Sequence, residues 1–138
     1  MIKRAVLVLL LVFAFGVVHA QEHPYRVVFD LTSTDSLNHQ AVMRWIKGIT
    51  TSNPDAELEV VMYGKGFELV MPGKSTVIED VRVAMKNPRV SFKACQVALK
   101  GSKVDKSQLL EGSQTVPDGI YEIVSKQQDG WAYIKVVR

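Results

Sequence analysis

Cys95 is the single cysteine of this 138-residue chain and the residue best suited to covalent chemistry. It follows a strand-like run at residues 89–94 and precedes a helix-like stretch, so the pattern predicts a strand-to-helix junction. The start of a helix carries partial positive charge, which favours a thiolate, and we expect a thiol there to be reachable. Cys95 is therefore a candidate nucleophile. The alternative is a packed core residue, since free cysteines are often buried.

Gly64 and Gly66 follow the second predicted strand at once. Their spacing resembles the opening of a dinucleotide-binding fingerprint, but the third glycine position is Leu69, so we do not expect nucleotide binding. Two interpretations stay open for the glycines. They either allow a tight exit from the strand or form a backbone cradle for a small anion near the thiol.

His39 falls near the start of the first predicted helix, where it could face the thiol as a proton carrier or remain an ordinary polar residue. Ser33 and Asp35 lie close to it in sequence. Nothing marks a nucleophile on a sharp turn with oxyanion donors, so a hydrolase triad is not expected. Residues 21–138 also have no paired-cysteine or His-x-x-x-His spacing, and we predict neither a metal site nor a cofactor.

Strand and helix patterns alternate along the chain. Strands are predicted at residues 26–32, 57–63, 89–94, 114–116 and 131–136, and helices at 37–50, 77–85, 96–100 and 118–129. Because the strands read as apolar on both faces, we expect a mainly parallel sheet with helices on each side. In such sheets the ligand site lies at the carboxyl edge, which here would gather residues 30–35, residues 63–66 and Cys95.

The first 20 residues resemble a secretory signal peptide. Lys3 and Arg4 precede an apolar run at residues 5–18, and Ala20 suits a cleavage site. An uncleaved membrane anchor is the alternative, but the run is shorter than the roughly 20 apolar residues that a span needs. We therefore predict a periplasmic or secreted protein, residues 21–138 as a single domain, and no stable membrane insertion after cleavage.

Removal of that segment changes the charge balance. The chain has 17 basic and 14 acidic residues, and loss of Lys3 and Arg4 leaves 15 against 14. The basicity belongs mostly to the targeting segment, so a nucleic-acid partner is not expected.

Five segments together resemble the DsrE/DsrF-like family, which includes sulfur-relay subunits and the YchN-like proteins. They are residues 27–30 (VVFD), 57–66 (ELEVVMYGKG), 90–95 (VSFKAC), 116–119 (VPDG) and 127–135 (QQDGWAYIK). The resemblance implies an α/β fold, a three-layer α/β/α domain with a mainly parallel five-stranded sheet. It also implies a homo-oligomer, either a trimer or a hexamer.

In the sulfur-relay members of that family a cysteine after the third strand carries a persulfide, and Cys95 matches it. The resemblance thus implies a periplasmic sulfur-carrier or sulfurtransferase-like protein, with a sulfane-sulfur donor and a thiol acceptor protein as partners. Gly64 and Gly66 would shape the pocket and His39 could carry the proton. The competing hypothesis is a non-catalytic oligomeric binding module in which Cys95 is a buried core residue.

Overall fold

Five parallel strands form one sheet in the order β4-β3-β2-β1-β5. The structure is a computed structural model that describes residues 23–138. In chain order the strands are β1 (Arg26–Leu31), β2 (Glu57–Met62), β3 (Val90–Cys95), β4 (Gln114–Val116) and β5 (Ala132–Lys135). All five predicted strands are confirmed to within two residues at each end.

Four α-helices connect these strands, and polar caps set where two of them begin. They are α1 (Ser36–Ser52), α2 (Ile78–Ala84), α3 (Gln96–Gly101) and α4 (Gly119–Gln128), with short 3-10 helices at Gly66–Val70 and Lys106–Gln108. The Asp35 side chain accepts a hydrogen bond from the Leu37 amide at 2.9 Å. Asp118 likewise caps α4, so each carboxylate satisfies amides that the first helical turn leaves free.

The order of the strands places three helices on one face of the sheet. From β1 to β4 each strand lies beside its predecessor, and α1, α2 and α3 all pack on the same side. This side, the apolar face, carries Phe29, Val60 and Phe92 within one cluster of 23 buried apolar residues. Such a cluster supplies most of the burial that stabilises the fold.

On the opposite side, the charged face, α4 is the only α-helix among residues 23–138 that covers the sheet, and it carries the chain back across the sheet to β5. Its buried apolar cluster contains only Val28, Val61 and Ile123. Asp30 and Glu59 are buried on it at 3% and 2% exposure. The three-layer α/β/α arrangement is confirmed. The expectation that the strands are apolar on both faces is wrong for this face, because it buries two carboxylates, which lysine and tyrosine side chains pair with.

The predicted signal peptide, residues 1–20, lies outside the described residues. Within residues 23–138, no helix combines the length and the apolar character that crossing a membrane requires.

Candidate functional site

Cys95 ends β3 and immediately precedes α3, as the sequence predicts. Side chains alternate along a strand, and Phe92 and Ala94 belong to the apolar cluster, so Cys95 points to the charged face with Lys93. Its side chain makes no capping hydrogen bond to α3. Only 4% of Cys95 is exposed, whereas the junction position led us to expect a reachable thiol.

The cover over Cys95 is the first residue of α4. A Cβ atom built on Gly119 would lie 3.2 Å from the Cβ atoms of both Cys95 and Tyr63. Glycine thus allows the helix backbone to approach the thiol more closely than another residue would. The Asp118 side chain accepts hydrogen bonds from the amides of Ile120 and Tyr121. It does not accept one from the amide of Gly119, the first residue of the helix. The thiol therefore lies between the starts of two helices.

On the same face of the sheet as the thiol, a cluster of polar side chains surrounds Asp30. The hydroxyls of Tyr63 and Tyr133 donate to Asp30 Oδ2 at 3.2 and 2.6 Å, and Lys135 Nζ donates to Oδ1 at 2.8 Å. Lys135 also donates to Thr32 Oγ1 at 3.1 Å. The Cβ atoms of Tyr63 and Cys95 both lie beside Gly119, and the Tyr63 hydroxyl reaches Asp30, so this cluster and the thiol lie on the same face of the sheet.

The tyrosines of this cluster are held in their protonated form. The hydrogen bond to Asp30, with burial and the negative charge of that carboxylate, raises the pKa of Tyr133 to about 12. Burial, followed by the charge of Asp30, also raises the pKa of Tyr63. At neutral pH both hydroxyls therefore act as donors and neither is a base.

A separate group of charged side chains pairs α4 with the sheet. Lys93 Nζ lies 2.9 Å from Glu59 Oε2 and 2.8 Å from Glu122 Oε1. Lys126 Nζ lies 3.0 Å from the same Glu59 oxygen and 4.4 Å from the centroid of the Trp131 ring. Glu122 and Lys126 belong to α4, so we call these four charged residues, Glu59, Lys93, Glu122 and Lys126, the α4 ionic cluster.

Burial and pairing act against each other in the α4 ionic cluster. Burial raises the pKa of Glu59 despite its two lysine partners. Burial also disfavours the charge of Glu122, but the hydrogen bonds with Lys93 and Glu59 and the charges of Lys93 and Lys126 together outweigh it and lower the pKa of Glu122 below its usual value. For Lys93, the bonds to Glu122 and Glu59 outweigh the effect of burial, and its pKa is raised. The charge on each member of the cluster therefore depends on its partners.

The structure brings Gly64 and Gly66 against the end of β1, next to Tyr63 but not against the thiol. Gly64 adopts a φ of +58°, which favours glycine, beside the carbonyl of Thr32. A Cβ on Gly66 would overlap the carbonyl oxygen of Leu31. These contacts fit a tight exit from β2, and the role of the glycines in shaping a pocket stays a prediction.

His39 lies apart from Cys95, on α1, which covers the apolar face. It is 2% exposed, and its Nε2 is 2.8 Å from the carbonyl oxygen of Ser33. This contact fixes the loop between β1 and α1, and the described residues show no contact between His39 and the thiol.

Sequence reasoning missed both charged clusters on the sheet. Their signal was present as ionisable residues inside otherwise apolar strands, such as Glu59 in β2 and Asp30 in β1. A charged residue at the centre of a strand is rarely buried without a partner, which should have directed attention to Lys93 and Lys135.

Two solved structures share this fold. MTH1491 from Methanobacterium thermoautotrophicum, a protein of unknown function, is 32% identical, and the match covers 80% of this chain and 98% of that chain with a TM-score of 0.75. The ychN protein from E. coli is 12% identical, with a TM-score of 0.65 over 82% of this chain and 99% of that one. No protein-family model and no curated protein matches the sequence.

Proposed function

The chain belongs to the same family as MTH1491 and has the YchN-like fold, and from that premise we propose that it is an exported sulfur-carrier or sulfurtransferase-like protein that holds a persulfide on Cys95. The observation that carries the proposal is the position of the only thiol, at the carboxyl edge of the sheet and in contact with the first residue of α4. Carboxyl edges of parallel strands are where α/β folds of this kind bind ligands.

The proposed reaction is an exchange between sulfur atoms. The Cys95 thiolate attacks the outer sulfur of a persulfide or polysulfide donor, a new S–S bond forms, the donor S–S bond breaks, and the donor leaves as a thiolate. An acceptor thiolate then attacks the outer sulfur of Cys95–S–SH and releases the Cys95 thiolate. No net oxidation occurs.

The direct test of this reaction is the mass of the reduced protein after exposure to polysulfide. We expect a gain of one or more sulfur atoms that maps to Cys95 and is removed by reductant. Cys95→Ser should keep the fold and gain nothing, since it removes the nucleophile and nearly preserves volume. Failure of the native protein to gain mass, when the same protein unfolded in denaturant does, would exclude the proposal.

The burial of Cys95 favours a second candidate, an oligomeric binding module without covalent chemistry. With 4% exposure and contact to Tyr63 and Gly119, the thiol would then simply fill the core. In that case alkylation of Cys95 should require global unfolding, and Cys95→Ser should chiefly lower the free energy of unfolding.

We also propose that the protein is a homo-oligomer, as the family resemblance implies. The edge strand β5 supports this, because Tyr133 and Ile134 are 41% and 36% exposed and Val137 just beyond the strand is 59% exposed. Uncovered sheet edges invite pairing with another chain. Light scattering with reductant present should report a trimer or hexamer, and a monomer at micromolar concentration would contradict it.

A further inference from the structure

The helix that covers Cys95 is attached to the sheet by few apolar contacts. Of its apolar side chains only Ile123 is buried, while Ile120, Tyr121 and Val124 are 60%, 74% and 45% exposed. By contrast, α1 buries Ala41, Val42, Met43 and Ile46. Apolar burial is the main force that holds a helix against a sheet, so α4 is held more weakly than α1.

The remaining attachment of α4 is the α4 ionic cluster. Glu122 and Lys126 project from the helix, and Lys93 and Glu59 meet them from the sheet. When an apolar contact separates, exposed carbon surface faces water, whereas separated ions regain the hydration that burial removed. A helix held by ions is therefore easier to lift than one held by the same number of apolar residues.

With α4 packed on the sheet, one oxygen atom of the α4 ionic cluster lacks a protein partner among the described residues. Glu59 Oε2 receives both lysines, while Glu59 Oε1 is buried and has no protein hydrogen bond among the described residues. Displacement of α4 from the sheet would expose that oxygen to solvent and remove the free-energy cost of burying it without a hydrogen bond.

We propose that α4 is a lid over Cys95, held closed by the α4 ionic cluster, whose displacement lets the reagent or sulfur donor reach the thiol. The geometry supports this because Gly119, at the start of the lid, touches Cys95, and the cluster lies one to two helical turns further along the same helix. The identity of the reactant rests on the proposed function, but the motion of the lid does not.

Alkylation of Cys95 in the native protein measures the lid directly, because the chain has no other thiol. Lys126→Met removes one attachment to Glu59 and should raise the alkylation rate by roughly 5- to 30-fold. The matched control is Lys74→Met, which breaks the Lys74–Glu68 pair at 3.0 Å away from α4 and should leave the rate unchanged. Equal rates in wild type and Lys126→Met would overturn the proposal.

Two further variants keep the test decisive if Lys126→Met fails to fold. Glu122→Gln weakens the 2.8 Å contact with Lys93 and changes side-chain volume very little, so it should also speed alkylation. Gly119→Ala places a methyl group against Cys95 and Tyr63 and should displace the start of the lid, with the same result. Wild-type Cys95 that reacts as fast as a free thiol, or only after global unfolding, would also exclude a lid.

Failure of the lid and failure of the proposed function give different results. If sulfur loading from polysulfide maps to Cys95 but neither loading nor alkylation responds to Glu122→Gln, the carrier stands and the lid is wrong. If alkylation responds to the lid variants but polysulfide adds no mass, the lid stands and the carrier is wrong.

Discussion

The two faces of the sheet differ in how they are held. On the apolar face, three helices pack onto a cluster of 23 buried apolar residues. On the charged face, a single helix packs Ile123 against a cluster that includes Val28 and Val61, and it pairs with the sheet through Lys93–Glu122 and Lys126–Glu59. Cys95 lies on the second face, beneath the helix with the weaker apolar attachment.

If Cys95 has the proposed function, this difference separates the residues that stabilise the fold from those that act in the reaction. Burial on the apolar face is strong enough to define the fold, so the charged face need not be optimised for stability. Functional groups are commonly found where local stability is low, because binding and release require motion there. The position of the only thiol follows this rule.

The largest effect should come from the apolar face. Phe92→Ala removes a side chain that is 1% exposed and should lower the free energy of unfolding by about 3–5 kcal/mol. The matched change on the charged face, Ile123→Ala, should cost only about 2 kcal/mol, because α4 can settle into the space. Urea unfolding measures both. Equal losses would mean that the two faces are equally rigid.

A smaller effect is expected from the charges themselves. Glu59→Gln keeps the shape of the side chain but removes the charge that Lys93 and Lys126 share, and should cost about 1–3 kcal/mol. Glu68→Gln, which alters an exposed pair with Lys74, should cost about 0–1 kcal/mol. If Glu59→Gln leaves stability unchanged, the ionic cluster does not hold α4.

The smallest effect concerns the cluster around Asp30. Because the pKa of Tyr133 rises to about 12 on folding, its contribution to stability is fully present below pH 10 and is lost as the pH rises from 10 to about 12. Ultraviolet absorbance should show this phenol titrating late in the folded protein. Tyr133→Phe should lower stability by about 1 kcal/mol and abolish that step in the titration. A phenol at position 133 with an ordinary pKa would contradict the bond to Asp30.

Much of the fold could be predicted from sequence because its signals are local. The strand-like runs at residues 26–32 and 57–63 and the helix-like pattern at residues 37–50 each depend on residues close together in the sequence. The arrangement of the site could not be predicted, because it depends on contacts between distant residues. Tyr133 and Asp30 are 103 residues apart, and only the return of the chain beside β1 brings them together.

The candidate residues show the same limit. Cys95 was correctly placed at the end of β3, but its cover is Gly119, from a helix that begins 24 positions later. The sequence left two roles open for His39, and the structure places it on the helix that packs against the apolar face, with its Nε2 beside the carbonyl oxygen of Ser33. Local sequence patterns predict where a residue lies along its strand or helix, whereas tertiary packing determines which other residues it contacts.

If α4 is a lid, Cys95 reacts from the native state through local opening of the charged face. The most direct test is the rate of Cys95 alkylation as urea is raised within the range where the protein stays folded. Local opening exposes little surface, so the rate should hardly depend on urea and should indicate a free energy below that of global unfolding. A rate that rises with the full urea dependence of global unfolding, and indicates the same free energy, would show that Cys95 is a core residue and contradict the account.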